Sequence, residues 1–228
     1  MLTRFFLIVL LGCALDAAFI VCEYKKKFLP AVVLKGLASC VFVLLGFLCF
    51  ANSVDTHFGS LVIAGLICGA IGDVLLNLRL LLKESAAQKI FLLGIAVFMA
   101  GHILYVIALI GRDPGALYIA LPLCAVLSAV ALTLILKNVD ADKKFKIFGG
   151  VYIAVVLLMM STAISLLIRH PENISSTVFT VGAVLFAASD IILIFHLFGR
   201  KKIKAFRAIN LSAYYIGQLL IAASLLLI

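Results

Sequence analysis

The chain has 228 residues, of which 66% are hydrophobic and only 13% are charged, and its formal net charge is +9. Soluble domains are usually about half apolar and about a quarter charged. This composition excludes a soluble globular domain, because one core of this size cannot hide so much apolar surface from water. The apolar runs are long and lack the alternation typical of strands, so we expect membrane-spanning helices rather than a barrel.

Eight apolar segments follow one another along the chain with short connections. Each is near the ~20 residues that an α-helix needs to cross a bilayer. We therefore expect an all-α bundle that forms a single transmembrane domain over residues 1–228. The expected spans are at about 4–22, 30–51, 59–79, 89–110, 116–136, 147–168, 175–198 and 206–228.

The basic residues lie mostly on one side of this arrangement. Fifteen of the 19 Lys and Arg residues fall in the connections after the first, third, fifth and seventh segments. Arg4, Arg112 and Arg169 belong to the opposite side, and Lys35 lies within a segment. The positive-inside rule makes the basic side cytoplasmic, which predicts both termini on the non-cytoplasmic side. The charge thus indicates orientation in a membrane, which we expect to be a bacterial inner membrane, and not binding to nucleic acid.

A short internal similarity relates the two halves of the chain. Gly72-Asp73-Val-Leu-Leu in the third segment is similar to Ser189-Asp190-Ile-Ile-Leu in the seventh, and the two aspartates are 117 residues apart. A duplication of four helices in parallel orientation explains this pattern. Chance similarity between short apolar strings explains it equally well.

Ionisable residues inside the apolar segments are the strongest functional signal, because a charge deep in a bilayer is costly. We count ~1.5 Å of helical rise per residue from the nearest cytoplasmic charge, which places all of them in the inner half or near the midplane. Groups from six helices are therefore expected to meet at a cavity that opens toward the cytoplasm. These residues are Asp16, Lys35, Asp73, His102 and Asp190, with Asn77, Tyr105, Tyr214, Tyr215 and Gln218 as polar neighbours.

Several of these residues also have structural explanations. Lys35 has the length to reach the membrane interface, or it pairs with Asp16 on a neighbouring helix. Asn77 lies one helical turn after Asp73 and is expected to bond its carboxyl group. Tyr214 and Tyr215 point in different directions, so only one of them is expected to face a cavity.

Taken in order, these residues resemble a known family. The motifs are Lys35 in the second helix, Gly72-Asp73 in the third, Gly101-His102-x-x-Tyr105 in the fourth, Ser189-Asp190 in the seventh and Tyr214-Tyr215-x-x-Gln218 in the eighth. They resemble the YhhN family, which includes the lysoplasmalogenases. Gly36 stands where members of the family often have proline after the lysine. The resemblance implies hydrolysis of the vinyl ether bond of lysoplasmalogens, which yields a fatty aldehyde and a glycerophospho-head-group alcohol.

The chemistry of that bond suits the buried residues. Vinyl ethers resist base, but acid cleaves them through an oxocarbenium-like cation, and glycosidases place two carboxyl groups around a similar cation. Asp73 and Asp190 are the expected catalytic pair, with the order of their roles open. Lys35 is expected to hold the phosphate of the substrate or to tune the pKa of an aspartate. His102, Tyr105, Tyr215 and Gln218 are expected to position water and the head group, with Asp16, Asn77 and Tyr214 in support. No cofactor or metal is expected, and the partners are the lysophospholipid substrate and membrane lipids.

Three other functions are compatible with parts of the sequence. A small proton-coupled transporter uses buried Asp, Lys and His residues, but it needs a polar path through the outer half as well. A zinc hydrolase needs about three protein ligands, whereas only His102 lies deep among the histidines. A non-catalytic lipid-binding membrane protein would tolerate the replacement of both aspartates by asparagine.

Overall fold

The computed structural model describes residues 2–51, 54–140, 142–201, 203 and 205–227, without the side chains of residues 2–5, 143 and 144. Over these residues the chain forms eight long helices and no strand. Short 3-10 segments follow α3, α4 and α8 at Arg79–Leu81, Pro114–Ala116 and Ser224–Leu227. The helices are α1 (Leu2–Tyr24), α2 (Phe28–Phe50), α3 (Thr56–Leu78), α4 (Glu84–Arg112), α5 (Leu117–Asn138), α6 (Lys143–Arg169), α7 (Ile174–Phe198) and α8 (Ala205–Ala223).

In the described part of the chain, eight helices are long and apolar enough to cross a membrane. The predicted all-α fold with eight spans is thereby confirmed, and the chain is a multi-pass membrane protein. α4 begins at Glu84, about five residues before the expected start of the fourth span. Its first turns contain the strong helix formers of the stretch ESAAQK, which extend the helix beyond its apolar part. The single domain over 1–228 and the side that the termini face stay predictions.

The helices that carry Asp73 and Asp190 begin at side-chain caps of the same kind. The Phe58 N–H donates to Asp55 Oδ1 at 3.0 Å at the start of α3. The Ser176 N–H donates to Asn173 Oδ1 at 3.0 Å at the start of α7. Such caps satisfy backbone donors that have no partner within the helix, which defines where each helix starts.

The connections that carry most of the basic residues meet at one end of the bundle, which we call the basic end. There the Arg207 guanidinium forms an ion pair with Glu23 at the end of α1, at 2.7 Å. The Asp140 N–H, after α5, donates to the carbonyl of Phe198, at the end of α7, at 2.9 Å. The connection after α3 reaches the same end. The Arg79 guanidinium lies 4.5 Å from the ring centre of Phe91, and that ring packs on Phe198 with the ring centres 6.2 Å apart. Lys202 and Lys204, which the charge count also assigned to this side, lie outside the described residues.

Ion pairs also tie the connections at the opposite end of the bundle. Arg112 Nε lies 3.3 Å from Asp55 Oδ2, which links the end of α4 to the start of α3. Asp113 accepts a hydrogen bond from Arg169 Nε at 2.6 Å and lies 2.9 Å from His170 Nε2. The hydrogen bonds from Arg169 and then from His170 lower the pKa of Asp113 to about 2. Asp113 is therefore ionised near neutral pH, when it pairs with the end of α6.

The packing of the helices repeats between the two halves of the chain. α1 packs on α2, α2 on α3 and α3 on α4, as α5 packs on α6, α6 on α7 and α7 on α8. The halves also exchange equivalent contacts, since α4 packs against α6 and α8 packs against α2. This repeated arrangement supports the four-plus-four duplication over chance similarity.

α7 and α8 approach each other closely at two glycines. A Cβ atom added to Gly182 would lie 2.8 Å from the carbonyl oxygen of Gly217, and one added to Gly217 would lie 2.9 Å from the carbonyl oxygen of Gly182. Each is a contact with backbone, which cannot rotate away as a flexible side chain can. Small residues of this kind let membrane helices pack closely. The contact brings α7, which carries Asp190, beside α8.

We expect Gly182→Ala to destabilise the protein by about 1–3 kcal/mol, because the added methyl group overpacks this helix contact. The matched control is Gly149→Ala in α6, where an added Cβ would meet nothing within 4 Å. Both changes replace glycine by alanine inside a helix, so the intrinsic gain in helix propensity is shared. The measurement is thermal unfolding of the purified variants in one detergent. Equal melting temperatures for the two variants would contradict the close approach of α7 and α8.

Candidate active site

A cavity of about 160 Å³ lies between the helices and extends inward from the basic end. Its lining includes both predicted catalytic aspartates, Asp73 and Asp190, which are only 3% and 5% exposed. Lys35, Asn77 and Tyr214 of the predicted site also line it. A buried water molecule needs roughly 10–15 Å³ of such space, so the cavity has room for several waters or for a small polar group.

Asp73, in α3, has three hydrogen-bonding partners from two other helices. Lys35 Nζ lies 3.2 Å from Oδ1, so the two residues form a buried ion pair. Oδ2 accepts hydrogen bonds from the Ser39 hydroxyl at 2.5 Å and from the Tyr214 hydroxyl at 2.8 Å. Buried charges are stable only when they are paired and hydrogen-bonded, and this arrangement meets both conditions.

Lys35 is also enclosed by aromatic rings. Its Nζ lies 4.3 Å from the ring centre of Tyr215, 4.5 Å from that of Tyr214 and 5.4 Å from that of Phe19. Aromatic faces attract a cation, most strongly where water is excluded. The structural explanation that Lys35 reaches the membrane interface is therefore wrong, since its ammonium group is held inside the bundle.

The expected pairing between Lys35 and Asp16 is also absent from the structure. Lys35 forms its ion pair with Asp73, which lies on the helix that packs directly against α2. Asp16 Oδ1 is buried and has no hydrogen-bond partner among the described residues. Asp16 does not line the cavity. Helix counting found its depth but not the direction in which its side chain points.

Asp190, in α7, has a different set of partners. Its Oδ2 accepts a hydrogen bond from the Tyr152 hydroxyl of α6 at 2.5 Å, and no Lys, Arg or His nitrogen of the described chain lies within 4 Å of its carboxyl group. The Tyr152 hydroxyl also lies 3.4 Å from His102 Nε2. His102 therefore contacts the carboxyl site through Tyr152, and its own ring does not line the cavity.

The sequence analysis missed Tyr152 and Ser39, although each donates a hydrogen bond to one of the aspartates. Neither is ionised near neutral pH, so a search for buried charge passes over both. One signal was present for Tyr152. It lies 117 residues after Lys35, the same separation as between Asp73 and Asp190. In a duplicated chain, Tyr152 corresponds to Lys35 and Asp190 corresponds to Asp73. Because Lys35 contacts Asp73, Tyr152 is expected to contact Asp190.

Other predicted residues form a layer behind the cavity wall. The Tyr105 hydroxyl donates to Gln218 Oε1 at 3.4 Å, and Gln218 Nε2 donates to the Tyr214 hydroxyl at 3.4 Å. Tyr105, Gln218 and Tyr215 do not line the cavity. We expected these three residues to contact water and the head group, and the structure differs from that expectation. Of the two neighbouring tyrosines, Tyr214 faces the cavity and Tyr215 does not. The three residues instead hold Tyr214 and Lys35 in place.

Asn77 also differs from its expected contact. Its amide donates to the backbone carbonyl of Asp73 at 2.9 Å and not to the carboxyl group. In a helix, a residue four positions later lies one turn beyond that carbonyl. The Asn77 side chain therefore reaches the Asp73 backbone carbonyl more easily than the Asp73 carboxyl group. Asn77 still lines the cavity.

The described residues contain no group of three or more His, Cys, Asp or Glu side chains that could hold a metal ion. What the cavity does present is two carboxyl groups in different surroundings. One is paired with an ammonium group and two hydroxyls, and the other accepts one phenolic hydroxyl. Such a difference lets one carboxyl group act as an acid while the other acts as an anion.

We expect Lys35→Met and Asp73→Asn each to destabilise the protein, by about 3–5 kcal/mol for the loss of one partner of a buried pair. The double variant Lys35→Met/Asp73→Asn is expected to lose less than the sum, because it leaves no charge without its partner. Thermal unfolding of the three variants in detergent provides the double-mutant cycle. Additive losses would contradict the ion pair as the stabilising interaction.

Comparison with known proteins identifies the family of this chain. The family model described as the YhhN family matches residues 5–225, which is nearly the whole chain. No curated protein and no solved structure matches the chain. The match covers α2 to α8 in full, α1 from Phe5 onward, and every residue that lines the cavity. The chain therefore belongs to the YhhN family.

Proposed function

We propose that this protein is a lysoplasmalogenase-type hydrolase, which cleaves the vinyl ether bond of a lysoplasmalogen to a fatty aldehyde and a glycerophospho-head-group alcohol. The family is associated with this type of activity, which suggests a hydrolase. The single observation that carries the proposal is that two buried carboxyl groups with unlike partners line one cavity. Acid cleavage of a vinyl ether needs a proton donor and a nearby anion, and these groups match the two roles.

Asp73 takes the role of the anion. Lys35, Ser39 and Tyr214 direct an ammonium group and two hydroxyl groups at its two oxygens. Preorganised donors of this kind hold a carboxylate in a fixed position without the help of water. A fixed carboxylate stabilises the positive charge that develops on the substrate and accepts a hydrogen bond from the attacking water.

Asp190 takes the role of the proton donor. No cation lies within 4 Å of it among the described side chains, and the Tyr152 hydroxyl fixes its orientation. Its proton goes to the β-carbon of the vinyl ether, and the electron pair of the carbon–carbon double bond forms the new C–H bond. An oxocarbenium ion results, with its positive charge shared between the α-carbon and the ether oxygen.

Water completes the reaction. Its oxygen bonds to the α-carbon of the cation, and the proton that it loses returns to a carboxylate of the site. The hemiacetal then collapses. Its hydroxyl gives up its proton to one carboxylate, and the freed electron pair forms the C=O bond of the aldehyde. The C–O bond to the glycerol breaks, and the glycerol oxygen takes up the proton held by the other carboxyl group. One water molecule is consumed, and the carboxyl groups end as they began. General acid–base catalysis of this kind contributes typically ~10²–10⁴-fold to a rate.

The one-sided position of the cavity favours a hydrolase over a transporter. Its lining extends from the basic end to the two aspartates and includes none of the charged residues at the opposite end, such as Asp55, Arg112 and Asp113. An alternating-access transporter opens to one side at a time. It nevertheless needs polar groups along the outer half of its path, and none of those charged residues lines this cavity. We propose that the cavity opens toward the cytoplasm, since the positive-inside rule assigns the basic end there, and that the membrane is the bacterial inner membrane.

We expect Asp190→Asn and Asp73→Asn each to lower kcat at least about 100-fold, because each removes a group that acts on the reacting atoms. The assay measures aldehyde released from a lysoplasmalogen by the purified protein in detergent. Asp142→Asn is the matched control, since Asp142 is exposed and lies outside the cavity. It is expected to retain wild-type activity.

Two results would contradict the proposal. The first is a folded wild-type protein that releases no aldehyde from ethanolamine or choline lysoplasmalogens. The second is full activity in both aspartate variants, which is the result that a non-catalytic lipid-binding protein would give. A melting temperature for each variant separates loss of the acid from loss of the fold.

A further inference from the structure

Two cationic groups at the mouth of the cavity form no ion pair in the described structure, because Glu23, a carboxylate that also lines the mouth, pairs with Arg207. Arg79 and Lys146 both line the cavity near the basic end. In the described structure, neither lies within 4 Å of a carboxylate oxygen. Arg207, which also lines the mouth, is paired: its guanidinium donates two hydrogen bonds of 2.7 Å to the Glu23 carboxylate. Lys35, deeper in the cavity, is paired with Asp73. The mouth therefore has an excess of positive charge at Arg79 and Lys146.

Aromatic packing holds the Arg79 side chain in place. Its guanidinium carbon lies 4.5 Å from the ring centre of Phe91. Phe91 in turn packs on Phe145 and Phe198, with ring centres 5.9 Å and 6.2 Å away. All three rings line the cavity. Stacking on a ring leaves the N–H groups at the edge of the guanidinium plane available, and this fork matches the oxygens of a phosphate.

The distance of the two cations from the proposed catalytic aspartates suits the length of a lysophospholipid head group. Arg79 follows Asp73 by six residues, and Lys146 precedes Tyr152 by six residues on α6. Six residues correspond to a rise of ~9 Å along a helix. In a lysophospholipid, five bonds join the ether oxygen to the phosphorus, a span of roughly 6 Å when extended. Flexible Arg and Lys side chains cover the remaining distance.

We propose that Arg79 and Lys146 form a binding site for the phosphodiester group of a single-chain phospholipid. This inference rests on the proposed function for the identity of the lipid, and it assigns to Arg79 and Lys146 the phosphate role that the sequence analysis offered to Lys35. The bound phosphate would hold the glycerol at the mouth and direct the vinyl ether toward Asp73 and Asp190. Lipids without a phosphate would lack this anchor.

The test is a binding experiment that needs no turnover. Native mass spectrometry of the purified protein measures the affinity for an ester-linked lysophosphatidylethanolamine and for a monoacylglycerol with the same chain. Neither contains the vinyl ether bond. The variants are Arg79→Gln and Lys146→Gln. Arg200→Gln and Lys83→Gln are the matched controls, because each removes one charge from an exposed residue that does not line the cavity.

Wild-type protein is expected to bind the lysophospholipid at least about 100-fold more tightly than the monoacylglycerol, as two charge-assisted phosphate contacts of about tenfold each imply. Arg79→Gln and Lys146→Gln are each expected to reduce that preference by about tenfold. The affinity for monoacylglycerol should not change, which also shows that the fold is intact. Arg200→Gln and Lys83→Gln should keep the wild-type preference.

Retention of the wild-type preference by both mouth variants would overturn the phosphate site. Equal affinity for soluble glycerophosphoethanolamine and for the lysophospholipid would overturn the lipid as its ligand, since the acyl chain would then contribute nothing. The aldehyde assay separates this inference from the proposed function. If the mouth variants lose the preference while wild-type protein releases no aldehyde, the phosphate site stands and the hydrolase proposal fails.

Discussion

The ion pair between Lys35 and Asp73 is the interaction on which the rest of the site depends. Two charges taken out of water cost more than their mutual attraction returns unless other groups satisfy them. The bundle supplies those groups from α8 and α2, as the hydroxyls of Tyr214 and Ser39 and the faces of the tyrosine rings. Meeting this requirement brings α2, α3 and α8 together at one depth in the membrane. The cavity lies beside this junction because its lining includes both members of the pair.

The two halves of the chain explain how one protein holds two unlike carboxyl groups. The same arrangement of helices occurs twice, and in each half an aspartate of the third helix faces a residue of the second. In the first half that residue is Lys35, whereas in the second half it is Tyr152. This difference leaves one aspartate with a cation and the other with a phenol, and only Asp73 also accepts the hydroxyls of Ser39 and Tyr214. Divergence of a repeated unit is sufficient to place two carboxyl groups with unlike partners in the same cavity.

Hydropathy predicted the fold well, because crossing a membrane imposes length and composition on every helix. The depth count likewise placed Asp73 and Asp190 at the cavity, since the rise per residue of a helix is nearly constant. What the sequence did not predict is side-chain direction and partner choice. Asp16 has a suitable depth but does not line the cavity, and Asn77 bonds the backbone instead of the carboxyl group. Tyr152 was missed because its importance comes from its neighbours across helices and not from its own charge.

In the proposed reaction, a carboxyl group delivers a proton to carbon, after which water attacks the α-carbon of the vinyl ether. The most direct test is to run the wild-type reaction with a lysoplasmalogen in heavy water that also carries oxygen-18. The aldehyde is reduced at once to the alcohol, which prevents further exchange, and the masses of both products are measured by mass spectrometry. Deuterium is expected on the carbon next to the former carbonyl, and no oxygen-18 is expected in the glycerophospho-head-group alcohol. An aldehyde without deuterium at that carbon, or oxygen-18 in the head-group alcohol, would contradict the proposed reaction.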